Sequence, residues 1–323
     1  MKKTFIKSSV VALSLGLMLA SCAKKKDSTS SSPTPDNTSQ QSTTAGDQSN
    51  VSAESDQALN DAQVVISGSP NNARVDALAQ LQPIYNAKVD SLDPVSGKFT
   101  ITYNGNNAAT GATRMRTGTI TVERTNGKWS VPNSVLKLTF TNYKVTKLAT
   151  GKSITLNGIH TVTNVSSSIY TYANLYANNN DTIKHKVRGD MTLTFDDGTT
   201  RHWWIARHRV TSCKSTVYTV AISGDTSMAG YGDPNHNIVE AWGTNRSGEN
   251  FYGEITSPIT YNTTCGSEPI SGVYVHQGIA KTLTVTYGVN SDGTVNITPN
   301  CPYGFKLDFT NLSNASKELI LAY

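Results

Sequence analysis

From about Ala87 onward, apolar residues recur at every second position and threonine fills many of the places between them. Phe99-Ile101-Tyr103 alternates with Thr100 and Thr102, and Ile120-Val122 with Thr119, Thr121 and Glu123. Leu136-Leu138-Phe140 alternates with Lys137, Thr139 and Thr141. The pattern continues through Ile154-Leu156, Met191-Leu193-Phe195, Tyr218-Val220-Ile222, Phe251-Gly253-Ile255, Val273-Val275, Leu283-Val285-Tyr287, Val295-Ile297 and Phe305-Leu307-Phe309. A period of two is the pleat of a β-strand with one face buried and the other solvated. Threonine suits the solvated face because its branched β-carbon fits the pleat.

The punctuation agrees. Asn126-Gly127, Asp197-Gly198 and Asp292-Gly293 lie between such runs, and these dipeptides are strong hairpin signals. Asn104-Gly105 and Asn157-Gly158 read as turns or bulges. No helix of a dozen residues fits between the strands, which excludes parallel crossovers. The expected fold is all-β: an antiparallel meander of some eleven to thirteen strands over residues 87–323. A sheet this wide curls, closes or folds over. A curled sheet or partly open barrel is favoured, with a sandwich as the alternative. Glycine precedes several strands at an irregular period, which is strand–turn chemistry and no proof of a solenoid.

The beginning of the chain follows different rules. Lys2, Lys3 and Lys7 precede a short apolar run, Val10 to Ala20. About eleven residues suit a signal segment and fall short of the roughly twenty that cross a membrane. Leu19-Ala20-Ser21-Cys22 resembles a bacterial lipobox, which implies cleavage after residue 21 and acylation of the Cys22 thiol. Two or three acyl chains give stable attachment where one alone is marginal, and Lys24, Lys25 and Lys26 would sit among lipid phosphates. Ala23 rather than aspartate favours the outer membrane by resemblance to the enterobacterial sorting rule; the leaflet stays open. Residues 22–52, rich in Ser, Thr, Asp, Asn and Gln, read as a disordered tether with a reach of about 30 Å. Residues 53–86 read as a short helical segment. Ser52 or Ser55 is its cap, Ala58, Leu59, Ala62, Val65 and Ile66 fall at helical spacing, and Val75 to Leu81 is a second short helix.

Charge excludes one class of partner. The chain carries 28 Lys and Arg against 23 Asp and Glu, and removing the signal takes away three lysines and no acids. A nucleic-acid binder would be strongly basic. With Cys22 acylated, Cys213, Cys265 and Cys301 remain in an oxidising compartment. Cys265–Cys301 is the expected bridge and Cys213–Cys265 the alternative.

Four segments carry a resemblance: Arg114-Met115-Arg116-Thr117-Gly118-Thr119-Ile120-Thr121-Val122, Leu138-Thr139-Phe140-Thr141-Asn142-Tyr143-Lys144-Val145, Asn157-Gly158-Ile159-His160-Thr161-Val162-Thr163-Asn164 and Gly243-Thr244-Asn245-Arg246-Ser247-Gly248. In order and spacing they resemble an uncharacterised lipoprotein family of Bacteroidota over roughly residues 91–309. Many members have a cysteine before the first arginine motif, where this chain has Asn106, Asn107 and Ala108. The resemblance implies fold and no catalytic residues.

Enzyme constellations are sparse. The sequence has no nucleophile elbow, zinc-protease helix motif, phosphate loop or EF-hand, and no metal or cofactor is expected. His160, His185, His202, His208, His236 and His276 stand singly and read as solvated strand residues. His202 and His208 are six apart, about 20 Å along a strand, too far to share an ion. Glu240, Glu249 and Glu254 are candidate carboxylates for polysaccharide hydrolysis, which needs two of them across a cleft. Surface charge is the plainer reading of the three. Trp203 and Trp204 point to opposite sheet faces. One belongs to the core, with Arg201, Arg207 and Arg209 on its face, and the other could stack on a sugar. Tyr170 and Tyr172, with Asn174 and Asn178, suit glycan or protein contact. Together these readings describe a lipid-anchored envelope protein, non-enzymatic and either binding or structural, with glycan or an envelope protein as partner and no nucleic acid. A lipid-anchored hydrolase acting on polysaccharide is the alternative.

Overall fold

A computed structural model describes residues 38–67, 84, 87–90, 93, 97–105, 113–169, 171–177, 181–225, 238–266, 268–278, 282–310 and 316–323. The signal segment, Cys22, Asn106 to Ala108, Val75 to Leu81, Tyr170, Asn178 and His236 lie outside them. The elements are α1 (Thr38–Ser67), β1 (Ala87–Val89), β2 (Phe99–Asn104), β3 (Arg114–Thr125), β4 (Val135–Lys147), β5 (Ser153–Asn164), α2 (Tyr172–Ala177), β6 (Thr182–Phe195), β7 (Thr200–Lys214), β8 (Val217–Gly224), β9 (Val239–Thr244), β10 (Asn250–Asn262), β11 (Pro269–Gly278), β12 (Thr282–Val289), β13 (Gly304–Thr310) and β14 (Ser316–Ala322).

All fourteen strands of the described residues form one antiparallel sheet that follows chain order, the all-β meander read from the alternation. One departure is instructive. β8 pairs with the C-terminal half of β7 and β9 with its N-terminal half, and both also pair with β10. The two short strands therefore share a single lane between β7 and β10. Val295-Ile297 departs from expectation. Val295 makes only an isolated bridge to Val289 and Ile297 is 93 % exposed, because the hydrogen bonds of Asp292, Thr294 and Asn296 close turns there.

The sheet is bent by bulges. Register shifts fall between Thr117 and Thr119, between Phe140 and Tyr143, and at three places where β10 pairs with β11. At the first, Gly118 has φ +93° and a Cβ there would lie 2.1 Å from the Asn142 carbonyl oxygen. Asn142 itself has φ +50°. An extra residue with positive φ bends a strand and increases its twist.

The bending wraps the sheet around α1. Val51, Ala58, Leu59, Ala62 and Ile66 join the core formed mainly by β2 to β7. Ala45 joins the separate core of β8 and β10 to β13. No described side chain from Thr43 to Gln63 is exposed. The helix corrects two expectations. It begins at Thr38, so the second half of the expected tether is helical, and it is far longer than a short segment. Its N-terminal half has almost no apolar period; what holds it is polar, as set out below. Cys265 and Cys301 form the expected disulfide, joining the β10–β11 and β12–β13 connections, and Cys213 is buried and free. The Tyr323 hydroxyl donates to the Pro269 carbonyl at 2.6 Å and accepts from the Gly288 amide at 3.0 Å. Among the described residues, no helix is long and apolar enough to cross a membrane.

Candidate functional site

Two sets of side chains are gathered by the fold, one inside the sheet and one outside. Inside, charged residues on α1 meet partners on the strands. Arg116 grips Glu54 with two bonds, Nε at 2.8 Å and Nη2 at 3.0 Å, and Arg114 adds Nη1 at 2.5 Å. The Tyr143 hydroxyl donates to the same carboxylate at 3.0 Å. Burial pushes Glu54 upward, but the two guanidinium groups outweigh it and hold the carboxyl below its ordinary range. Arg207, 1 % exposed, pairs with Glu240 at 2.5 Å and with Asp56 at 3.2 Å. Gln48 donates to Glu240 at 3.0 Å. Here burial wins: Glu240 is raised despite Arg207. Arg209 donates to Asn60 at 2.5 Å, and Tyr103 donates to Asp61. Near the start of the helix, Arg246 binds Asp47 through two bonds of 2.9 and 3.0 Å and Asp196 through one of 2.6 Å. Its guanidinium also lies 4.4 Å from the centre of the Phe195 ring.

This arrangement corrects the reading of the glutamates and histidines. Glu240 and Glu254 are buried, not surface charges. Glu240 lies beneath α1. Glu249 accepts from Asn245 in the β9–β10 turn and from Gln40. His160, His185 and His276 are also buried. They stand on the core-facing side, where Phe140, Trp129 and Phe251 pack against their rings. Burial lowers their pKa to about 3, about 3 and about 4, respectively, so they are neutral core residues. Among the described histidines, His202 and His208 keep the half-solvated position expected of strand histidines. Among the described residues, no three His, Cys, Asp or Glu side chains are placed to hold a metal ion.

The tryptophan pair divides as alternation requires. Trp203 is 2 % exposed and sits in the core, its indole N–H donating to the Thr244 carbonyl at 2.6 Å. The arginines on its face do not cap it. Arg201 donates to the Asn245 and Arg246 carbonyls, and Arg207 and Arg209 serve α1. Trp204 lies on the outer face and is part-exposed. Registers place it in a cross-strand row with Asp190 on β6, Trp242 on β9, Tyr252 on β10 and Gln277 on β11. The two indoles are nearly parallel, at 10° and 6.1 Å between centroids. Beside them, His202 lies 4.1 Å from the Trp204 ring and its Nε2 is 2.7 Å from Asp190. One step along the strands, buried Asp225 gathers Lys186 at 3.2 Å, His208 at 3.1 Å and Arg188. The Trp242 and Tyr252 members of the row were not singled out from sequence. Only register reveals them, although an aromatic in a threonine position was a readable signal. Tyr172 opens α2, and its side chain, like Tyr170, is outside what is described.

Searches against protein-family models, curated proteins and solved structures found no match to this chain.

Proposed function

We propose that the chain is a lipoprotein of the bacterial outer membrane, fastened through acylated Cys22, whose β-body is a non-enzymatic module that binds glycan on its outer face. The observation that carries this reading is the row Asp190, Trp204, Trp242, Tyr252 and Gln277. Trp242 is buried at 6 % exposure and packs with Ala206 and Val239, so it supports Trp204 and Tyr252, the two part-exposed rings, two strand spacings or roughly 10 Å apart. Two part-exposed aromatic rings flanked by hydrogen-bonding groups offer stacking to the apolar side of a pyranose and partners for its hydroxyls. The resemblance to Bacteroidota lipoproteins and the Leu19-Ala20-Ser21-Cys22 box support the anchor. The hydrolase alternative would have to work through two of Glu240, which α1 covers, Glu249, which serves a turn, and Glu254, which is buried.

The test is retention on purified envelope polysaccharide. The full chain should bind, and Trp204→Ala should weaken binding about tenfold or more, as loss of one stacking aromatic does. Equal retention of both proteins, or none of either above a matrix control, would remove the glycan. Metabolic labelling with a fatty acid checks the anchor independently: label should enter the wild type and be lost in Cys22→Ser.

A further inference from the structure

Near the start of α1, a cleft of about 370 Å³ opens between the helix and the β4–β5 hairpin, within the range of small-molecule sites. Its helical wall is one face, Thr43, Gly46, Asp47, Asn50 and Glu54, which follow the spacing of a helix stripe. Its floor is apolar, from Val145, Ile154 and Leu156, and Arg114, Lys147 and Lys152 are on its rim.

The charges here are unequally matched. Arg114 and Lys147 are directly opposite in the β3–β4 register, and like charges in that position destabilise a sheet. Arg114 has Glu54 at 2.5 Å. Neither Lys147 nor Lys152 has a carboxylate within ion-pair distance among the described residues; Glu268 and Asp47 act on them only at longer range. Loss of water and the neighbouring Arg114 charge lower the pKa of Lys147, as expected for a cation short of an anion. The carboxylates of the cleft are already engaged, Glu54 by two arginines and Asp47 and Asp196 by Arg246.

We propose that this cleft is a binding site for a small organic monocarboxylate, with the carboxylate between Arg114 and Lys147 and a short apolar body on Val145, Ile154 and Leu156. One negative charge matches the unpaired ammonium. A phosphate dianion would also face Asp47, Asp196 and Glu54, and a fully polar anion would leave the floor bare. The site lies inside the curl, whereas the glycan row lies on its outer face, so either proposal can fail without the other.

Calorimetric titration of the full chain with hexanoate tests it, with acetate and hexanol as partners that lack the apolar body and the charge. Hexanoate should bind, and acetate and hexanol should bind about tenfold more weakly or not at all, a difference of about 1.4 kcal/mol. Lys147→Ala should weaken hexanoate about tenfold with the circular dichroism spectrum unchanged, since this lysine is at the exposed end of its strand. Lys147→Arg should restore most of the affinity. Absence of hexanoate binding, or binding that Lys147→Ala leaves unaltered, would overturn the proposal. Tighter binding of hexanol than of hexanoate would do the same, by making the cleft merely apolar.

Discussion

The two walls of the curled sheet are built differently. β3 to β7 run to between 12 and 15 residues, and their inner faces form a continuous core with Val51, Ala58, Leu59, Ala62 and Ile66 of the helix. β11 to β14 have ten, eight, seven and seven residues. Their core is their own, reached by α1 chiefly through Ala45, and they are braced by Cys265–Cys301 and the Tyr323 hydroxyl. The long wall needs the helix to cover its apolar face and to balance its arginines. The short wall needs cross-links because it buries less. A polar helix can occupy the centre of a β-sheet when the sheet supplies opposite charges at matching heights.

The comparison breaks first at Glu54. Glu54→Ala leaves Arg114 and Arg116 without their buried carboxylate. Removing one partner of a buried ion pair costs about 3–5 kcal/mol, measurable as a lower denaturant midpoint. The loss should be greatest in the long wall, read by hydrogen exchange at β3 and β4. Next comes the bridge. Cys265→Ser with Cys301→Ser should cost about 2–4 kcal/mol. It should raise exchange in β11 to β13 while leaving β4 to β6 near their wild-type protection. Equal loosening of both walls would show that they are not separable.

A smaller effect sharpens the contrast by pH. His160 and His185 belong to the long wall, and His276 to β11. Their folded pKa lies below the ordinary value, so the unfolded chain takes up protons that the folded chain refuses. Stability from this source is complete above about pH 6.5 and falls as pH drops toward about 3 for the first two and 4 for the third. Each contributes at most about 1.4 kcal/mol per pH unit in that window. Glu240 and Asp61, raised by burial, act in the opposite sense as they take up protons. His185→Phe should therefore flatten the fall in stability between pH 6.5 and 4, as followed by thermal melts. An unchanged slope would mean that His185 is charged in the folded protein.

Much of the sheet was legible in the sequence because the code for a half-buried strand is local. Leu136-Leu138-Phe140 or Met191-Leu193-Phe195 announces its own buried face. β9 was not legible: Val239–Thr244 puts Glu240 and Gly243 at inward places and reads as no strand until β7 and β10 flank it. The helix was legible only where apolar spacing marked it, from Ala58 to Ile66. Its first half looked like a tether because Asp47, Gln48 and Glu54 are helix-stabilising only in the presence of Arg246, Glu240 and Arg116, each far away in the chain. For the same reason Glu240 resembled a surface charge. Of the outer row, Trp204 was readable, and its neighbours Trp242 and Tyr252 needed the register.

The central claim is that the sheet encloses α1, and amide exchange along that helix measures it. Amides from Thr44 to Gln63 should exchange as slowly as those of β4 to β6 and lose protection together with them in Glu54→Ala. Exchange at the rate of an unfolded chain over those residues, with the sheet still protected, would contradict the account.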